Sequence, residues 1–265
     1  MNCLRYDFGC DQVTAFSTER GGGVSVGNYA SFNANAFCGD NPAHVAQNRQ
    51  LLAESLGIPA AHIIIPHQTH GTQTRHVSDA FLALPEAERR ELLEGIDALM
   101  TTERGICLCV STADCIPVLL FDPVRRAIAT IHAGWRGTQQ RIVQSTIEAM
   151  RQAFGTRAED LQAAIGPGIA MPSFEVGDEV YEAFRQANFP MESIAARMPN
   201  PATGETKWHI DLFAANQLQL TEKGVDVRHI RLANIDTFTH SDRFFSARRL
   251  GIHSGRILTG ILLND

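Results

Sequence analysis

A chain of 265 residues with 44% hydrophobic content is long enough to bury a full core. Its 23 basic and 29 acidic residues give a net charge of −6 with no long run of one sign, which argues against nucleic acid or an anionic membrane as the main partner. No basic-then-apolar leader opens the sequence, no apolar run approaches the roughly 20 residues of a spanning helix, and the six cysteines (Cys3, Cys10, Cys38, Cys107, Cys109, Cys115) are too unevenly spaced for a disulfide framework. The expectation is a cytoplasmic protein with reduced thiols.

Residues 1–40 hold the weak alternation QVTAFST, a triple glycine at Gly21–Gly23 and a stretch rich in Asn, Gly and Ser. The glycines lack the strand-Gly-helix grammar with a following Lys-Ser/Thr that cradles a phosphate, so they read as a loop or hairpin. Asn41-Pro42 opens a helix with an inner stripe of Val45, Leu52 and Leu56, and Gly57 stops it. Asn48 and Arg49 sit in that helix, where a solvated or structural role is the default.

Ile63–Ile65 form a short buried strand before the polar turn His67-Gln68-Thr69-His70-Gly71. Residues 80–95 predict one helix with a charged outer face. IDALMTT and GICLCVST give two more strands, with Cys107 and Cys109 on one face by the two-residue period. Buried free cysteine behaves as a small hydrophobe, so this pair reads as core.

The stretch Ser111–Gly137, STADCIPVLLFDPVRRAIATIHAGWRG, reads as two buried strands joined by an Asp122-Pro123 turn. Folding back on that turn brings Cys115 and His132 to one rim of a sheet. A helix is expected after Gly137, with Thr138 as cap, Val143, Ile147, Met150 and Phe154 as stripe, and Gly155 as stop. Then come a strand ending at Gly166-Pro167-Gly168, a helix over 173–187, a mobile loop over 190–206, a helix over 211–220, and strands over 229–235 and 257–263. No repeat or linker appears, so residues 1–265 read as one domain of mixed strands and helices.

Of ten histidines, His44, His62, His76, His209, His229 and His253 have no thiol or turn context. His70 and His132 each adjoin a strand end and a glycine. With Cys115 they offer two imidazoles and a thiolate, the ligand count of a catalytic zinc that keeps its fourth position open for water. Packing use of the same three residues is the bland alternative. Two other chemistries compete: a hydrolase with Cys115 as nucleophile and His132 as base, and a copper site of two histidines and a cysteine. Copper oxidation is weakly supported, since the chain has no His-x-His pair and no Met closely follows His132. Arg136, Arg248, Arg249 and Arg256 could receive a phosphate or carboxylate, and Trp135 or Phe244-Phe245 could stack on a flat base, although core packing is the commoner use of buried aromatics. The helix start after Gly137 would add backbone donors for an anion. Asp114 is placed in support of its loop, and Glu175 and Asp236 are further candidate carboxylates.

Taken together, QTHG, STADCIPVLL, IHAGWRGT and FFSARR resemble the YfiH family, also called laccase-domain or polyphenol oxidase-like proteins and peptidoglycan editing factor. The resemblance covers nearly the whole chain. It implies a single layered α/β (α+β) domain with mixed sheets flanked by helices, and a zinc ion held in a surface pocket by His70, Cys115 and His132. It also implies phosphorolysis of adenosine, inosine and methylthioadenosine and deamination of adenosine, with a purine nucleoside and phosphate as small-molecule partners. Arg136, Arg248, Arg249 and Glu175 are then the expected substrate contacts, and Cys115 and His132 the catalytic pair. The alternatives carried with it are an amidase of miscoupled UDP-muramoyl-amino acid precursors, a copper-dependent phenol oxidase, and a metal-stabilised binding module without turnover. The chain departs from the family pattern at Gly168, Ser173 and Asp236, where relatives often carry cysteine, and residues 80–95 look longer than in many relatives.

Overall fold

The computed structural model describes residues 1–200 and 203–264. Among these the strands form three sheets. A six-stranded mixed sheet runs in the order Ile230–Leu232, Gln162–Ile165, Ile116–Asp122, Ala127–Ala133, Ala98–Thr101, Thr74–His76. A five-stranded mixed sheet runs Cys3–Arg5, Val13–Thr18, Ile257–Leu263, Cys107–Thr112, Ile63–Ile64. The third, small sheet places Thr206–Ile210 between Glu175–Val176 and Ala195–Pro199.

The unbroken apolar runs of the central strands follow from burial on both faces. Every residue of 116–122 and 127–133 is buried. Leu119, Phe121 and Ile128 meet Ala15, Leu108 and Ile261 of the five-stranded sheet. Val118, Leu120 and Ala129 turn the other way, onto Ile142, Val143, Ile147 and Met150 of the helix Ile142–Phe154. The far face of the five-stranded sheet presents Cys107, Cys109, Leu258 and Leu262 to Leu52 and Ala53 of the helix Pro42–Leu56. Two mixed sheets packed face to face, with a helix on each outer side, make a layered α/β architecture of the kind expected.

Asn48 is structural. It is fully buried, accepts from Val24 N at 3.0 Å and donates to Ser25 Oγ (3.0 Å) and Asn33 O (2.8 Å). A Cβ at Gly23 would fall 2.6 Å from its Oδ1 and 2.3 Å from Ser31 O, so the triple glycine serves close packing of this loop.

Several predicted elements differ. The helix expected over 80–95 is two short ones, Asp79–Leu82 and Glu86–Leu92, because Pro85 interrupts the backbone ladder. The helix after Gly137 does not start at Thr138. A turn of helix runs Trp135–Gln139 behind Gly134, Arg141 breaks it at φ 65°, and Ile142–Phe154 follows. Thr138 is buried within the first turn, its hydroxyl donating to Ala133 O at 3.3 Å. The segment 173–187 begins as the strand Glu175–Val176, and its helix is Asp178–Gln186, entered at Gly177. The 190–206 stretch carries a helical turn, Met191–Ile194, and the strand Ala195–Pro199; Pro201 and Ala202 lie outside the described residues.

Candidate metal centre

The hairpin register explains how Cys115 and His132 meet. Pro117 pairs with His132 and Ile116 with Ala133, so Cys115, one residue before its strand, lies at the same rim as His132. The loop ahead of it is held by Asp114, at φ 87°. Its carboxylate accepts from Thr237 Oγ1 and from the backbone N–H of Arg248, both at 2.7 Å, and its carbonyl accepts from Ile169 N at 2.8 Å. The supporting role expected for Asp114 is the one it has.

His70 comes from the His67–Gly71 turn, itself at φ 64°. Two side chains clamp that turn. Gln68 makes a strap to Ser111, accepting from its N–H at 2.7 Å and donating to its carbonyl at 2.9 Å. Asp97, fully buried, accepts the N–H groups of Thr69, His70 and Gly71 at 3.2, 3.0 and 2.7 Å. The other function of Asp97 is to accept from His132 Nδ1 at 2.7 Å. A carboxylate so engaged stays ionised and can only accept, so His132 carries a proton on Nδ1 and Nε2 is the nitrogen left for a metal ion, which would displace any proton there. Burial opposes the charge on Asp97, but the hydrogen bonds from His132 and the turn outweigh it and hold its pKa below the ordinary value.

The ligand atoms of His70, Cys115 and His132 all lie within 4.8 Å of one another, and this trio can hold a metal ion. The imidazole rings of His70 and His132 meet edge to face with centroids 4.9 Å apart. Gly134 leaves the space they need: a Cβ there would sit 2.9 Å from His70 Cδ2 and 3.0 Å from Cys115 Sγ. Burial pushes the Cys115 thiol up, yet His132 and His70 outweigh it and bring it down to about 6. For His132 burial acts downward, and Cys115 with Asp97 raise it to about 9. A thiol poised as thiolate between two imidazoles suits a soft or borderline cation.

The trio lines a cavity of about 250 Å³ whose wall also holds Asn35, Phe37, His67, Gln68, Ser111 and Arg256. Arg136, Arg248, Arg249 and Glu175 lie elsewhere. The Arg136 guanidinium is drawn over the Trp135 ring, 4.3 Å from its centroid. Arg248 reaches towards Ser173 O and Glu175 O, Arg249 lies over Phe238, and the Glu175 carboxylate accepts from Asn200 Nδ2 at 2.9 Å. Phe244 and Phe245 are core residues, at 0% and 1% exposure, so they offer no stacking platform. The aromatic that faces the cavity is Phe37, 45% exposed and stacked on His67 with centroids 4.4 Å apart. Sequence reasoning missed Asp97, Gln68 and Phe37. For Asp97 the available signal was a lone acid opening the apolar strand IDALMTT, a place where a carboxylate needs partners.

The three departures from the family pattern lie together. Gly168 and Asp236 form a parallel bridge, and Ser173 Oγ donates to Asp236 Oδ2 at 2.6 Å.

A buried carboxylate behind two imidazoles and a thiol, at the rim of two packed mixed sheets, defines an α/β protein with a site that can hold a metal ion. The chain belongs to the family described as multi-copper polyphenol oxidoreductase laccase, whose model matches residues 14–264. It is 50% identical over 252 residues to a purine nucleoside phosphorylase of Bacteroides thetaiotaomicron, covering 95% of this chain and 92% of that one. It is 44% identical over 254 residues to the adenosine deaminase RL5 of an unknown prokaryotic organism, with 94% and 93% covered. Among solved structures it resembles protein YfiH of Bacillus licheniformis (TM-score 0.87, 28% identity, 96% and 94% covered) and YlmD of Geobacillus stearothermophilus (TM-score 0.85, 30% identity, 96% and 93% covered). The YfiH resemblance and the layered α/β fold both hold.

Proposed function

We propose that the protein is a zinc-dependent purine nucleoside enzyme that phosphorolyses adenosine, inosine and methylthioadenosine and deaminates adenosine. The observation that carries this reading is the convergence of His70, Cys115 and His132 on an open cavity, in a chain whose relatives are named for those two activities. Among the described residues the trio is the one group of its kind, which supports a single ion over a multi-copper centre. No methionine stands among the described residues lining the cavity, and electron-transfer copper with this ligand set takes a weak axial thioether.

Zinc, held by His70, Cys115 and His132, would supply Lewis acidity able to polarise a substrate oxygen or activate water. The chain's own residues do the positioning. Asp97 fixes the His132 tautomer and, through three N–H groups, the place of His70. The exposed ring of Phe37 offers a face for a flat base. Arg256, whose guanidinium binds the carbonyls of Ile252, Ser254 and Gly255, is the cation on the cavity wall suited to an anion, ahead of Arg136, Arg248 and Arg249.

The test is metal analysis of protein purified without added metal, beside Cys115→Ala, with each incubated with inosine plus phosphate and separately with UDP-muramoyl-serine. Zinc near one per chain and inosine consumption lost on chelation are expected. Equal zinc and turnover in Cys115→Ala would sink the metal assignment. Consumption of the muramoyl compound alone would make the protein an amidase.

A further inference from the structure

Against the metal-site cavity lies a larger one, of about 470 Å³, and the stacked pair Phe37–His67 lines both. Its floor is apolar: Ile63, Ile64, Ile65 and Phe81 line it, none more than 7% exposed. Small residues, Ala36, Ala60 and Ala61, leave the space open. None of the metal trio borders it.

Its charged groups do not balance. Two acids line it, and both are engaged. Glu86 pairs with Arg90 at 3.1 Å and Glu94 with His67 at 2.8 Å. Two arginines on the same lining have no carboxylate. Arg49 gives its Nε to Ala34 O at 2.9 Å and makes no ion pair among the described residues, and burial lowers its pKa although Cys109 and Glu86 act the other way. Arg89 has its Nε shielded from water with no acceptor. A guanidinium nitrogen removed from water without an acceptor is costly, and buried polar atoms left unpaired are uncommon enough to ask what satisfies them. An incoming anion would do so. Glu86 and Glu94 nearby would oppose the build-up of further negative charge, which favours a single anionic head group over a polyphosphate. The isoleucine floor calls for an apolar body.

We propose that this cavity is a second ligand site, separate from the metal trio, for a small amphipathic anion whose apolar or aromatic body rests on Ile63–Ile65 while one carboxylate or phosphate group meets Arg89 and Arg49. Forked guanidinium donors serve either head group. The two neighbouring cavities thus select by different chemistry, one through a soft-cation centre and the other through cation and apolar floor.

Calorimetric titration of the metal-loaded protein with 1-naphthyl phosphate, 1-naphthoate and uncharged 1-naphthol tests this. At least one anion is expected to bind one per chain, at least roughly tenfold more tightly than 1-naphthol, since charge-assisted hydrogen bonds separate them; the tighter anion names the preferred head group. Arg89→Gln should weaken the anion roughly tenfold, and Ala61→Trp, which fills the space, should abolish binding. Cys115→Ala should leave it unchanged. Equal binding of 1-naphthol, wild-type affinity in both Arg89→Gln and Ala61→Trp, or loss in Cys115→Ala would overturn the proposal. Such failure leaves the nucleoside reading standing, because that reading is scored on zinc and inosine.

Discussion

Asp97 Oδ1 lies 2.7 Å from His132 Nδ1, and the same carboxylate takes the N–H groups of Thr69, His70 and Gly71. One buried acid therefore sets both imidazoles of the trio, although they come from separate segments. Asp97→Asn keeps the volume but offers one acceptor oxygen and an amide that must find acceptors of its own. Metal affinity should fall by about 10–100-fold, the usual cost of losing the carboxylate behind a ligating histidine. Competition against a chromogenic chelator measures it, and an unchanged affinity would remove Asp97 from the centre.

Gly134 is a steric requirement of the trio. Its backbone is extended, at φ −66°, so alanine is allowed there by conformation, and only space opposes it. The new Cβ would press on His70 Cδ2 and Cys115 Sγ, and one of them must move. Gly134→Ala should keep its far-ultraviolet circular dichroism and lose most of its bound metal and turnover. Full metal content in that variant would contradict the tight placement.

Cys115 makes the metal-free protein a reactive thiol. Burial acts against the thiolate, but His132 and His70 lower its pKa to about 6, while His132 is raised to about 9. The thiolate is therefore populated above about pH 6 and lost as pH falls through that value. Between about 6 and 9 the pair stands as thiolate and imidazolium. Alkylation of apoprotein by iodoacetamide, followed at Cys115 by mass spectrometry, should rise to half its maximum near pH 6, against roughly 8.5 for a free thiol. Added zinc should suppress it at pH 7. A rate that climbs only above pH 8 would show that the imidazoles do not hold the thiolate.

The hairpin carrying Cys115 and His132 was legible because an unbroken apolar run, a turn and a second run leave one topology, and register follows. His70 was singled out by its place beside a glycine in the turn after a strand, and the family resemblance then strengthened its place in the trio, since a histidine in a polar turn has no periodicity. Asp97 was hidden for another reason. Its partners are three backbone groups and one ring, none near in sequence, and backbone donors carry no sequence mark. Arg136, Arg248 and Arg249 read as anion receivers from type alone, and in the structure they lie over aromatic rings or reach towards backbone carbonyls, outside the lining of the metal-site cavity. The split of 80–95 at Pro85 was visible, but the charged face of the segment masked it.

Asp236 stands where relatives often carry cysteine, and its role here is to tie two segments, 168–173 and 236–238. Its Oδ1 accepts from Ala170 N and Phe238 N, each at 3.1 Å, and its Oδ2 accepts from Ser173 Oγ at 2.6 Å. Asp236→Ala leaves two N–H groups and a hydroxyl without their acceptor, at a cost of about 1–3 kcal/mol. For a chain near this size each kcal/mol moves Tm by about 2–4 °C, so a drop of several degrees is expected by calorimetry. Ser173→Ala, which removes one donor and strands no backbone group, should cost clearly less. The bridge from Gly168 to Asp236 joins backbone to backbone and survives both changes, so zinc content should stay at the wild-type level. If Asp236→Ala loses its metal along with its stability, the loop network reaches the trio through Asp114, whose side chain accepts from the neighbouring Thr237.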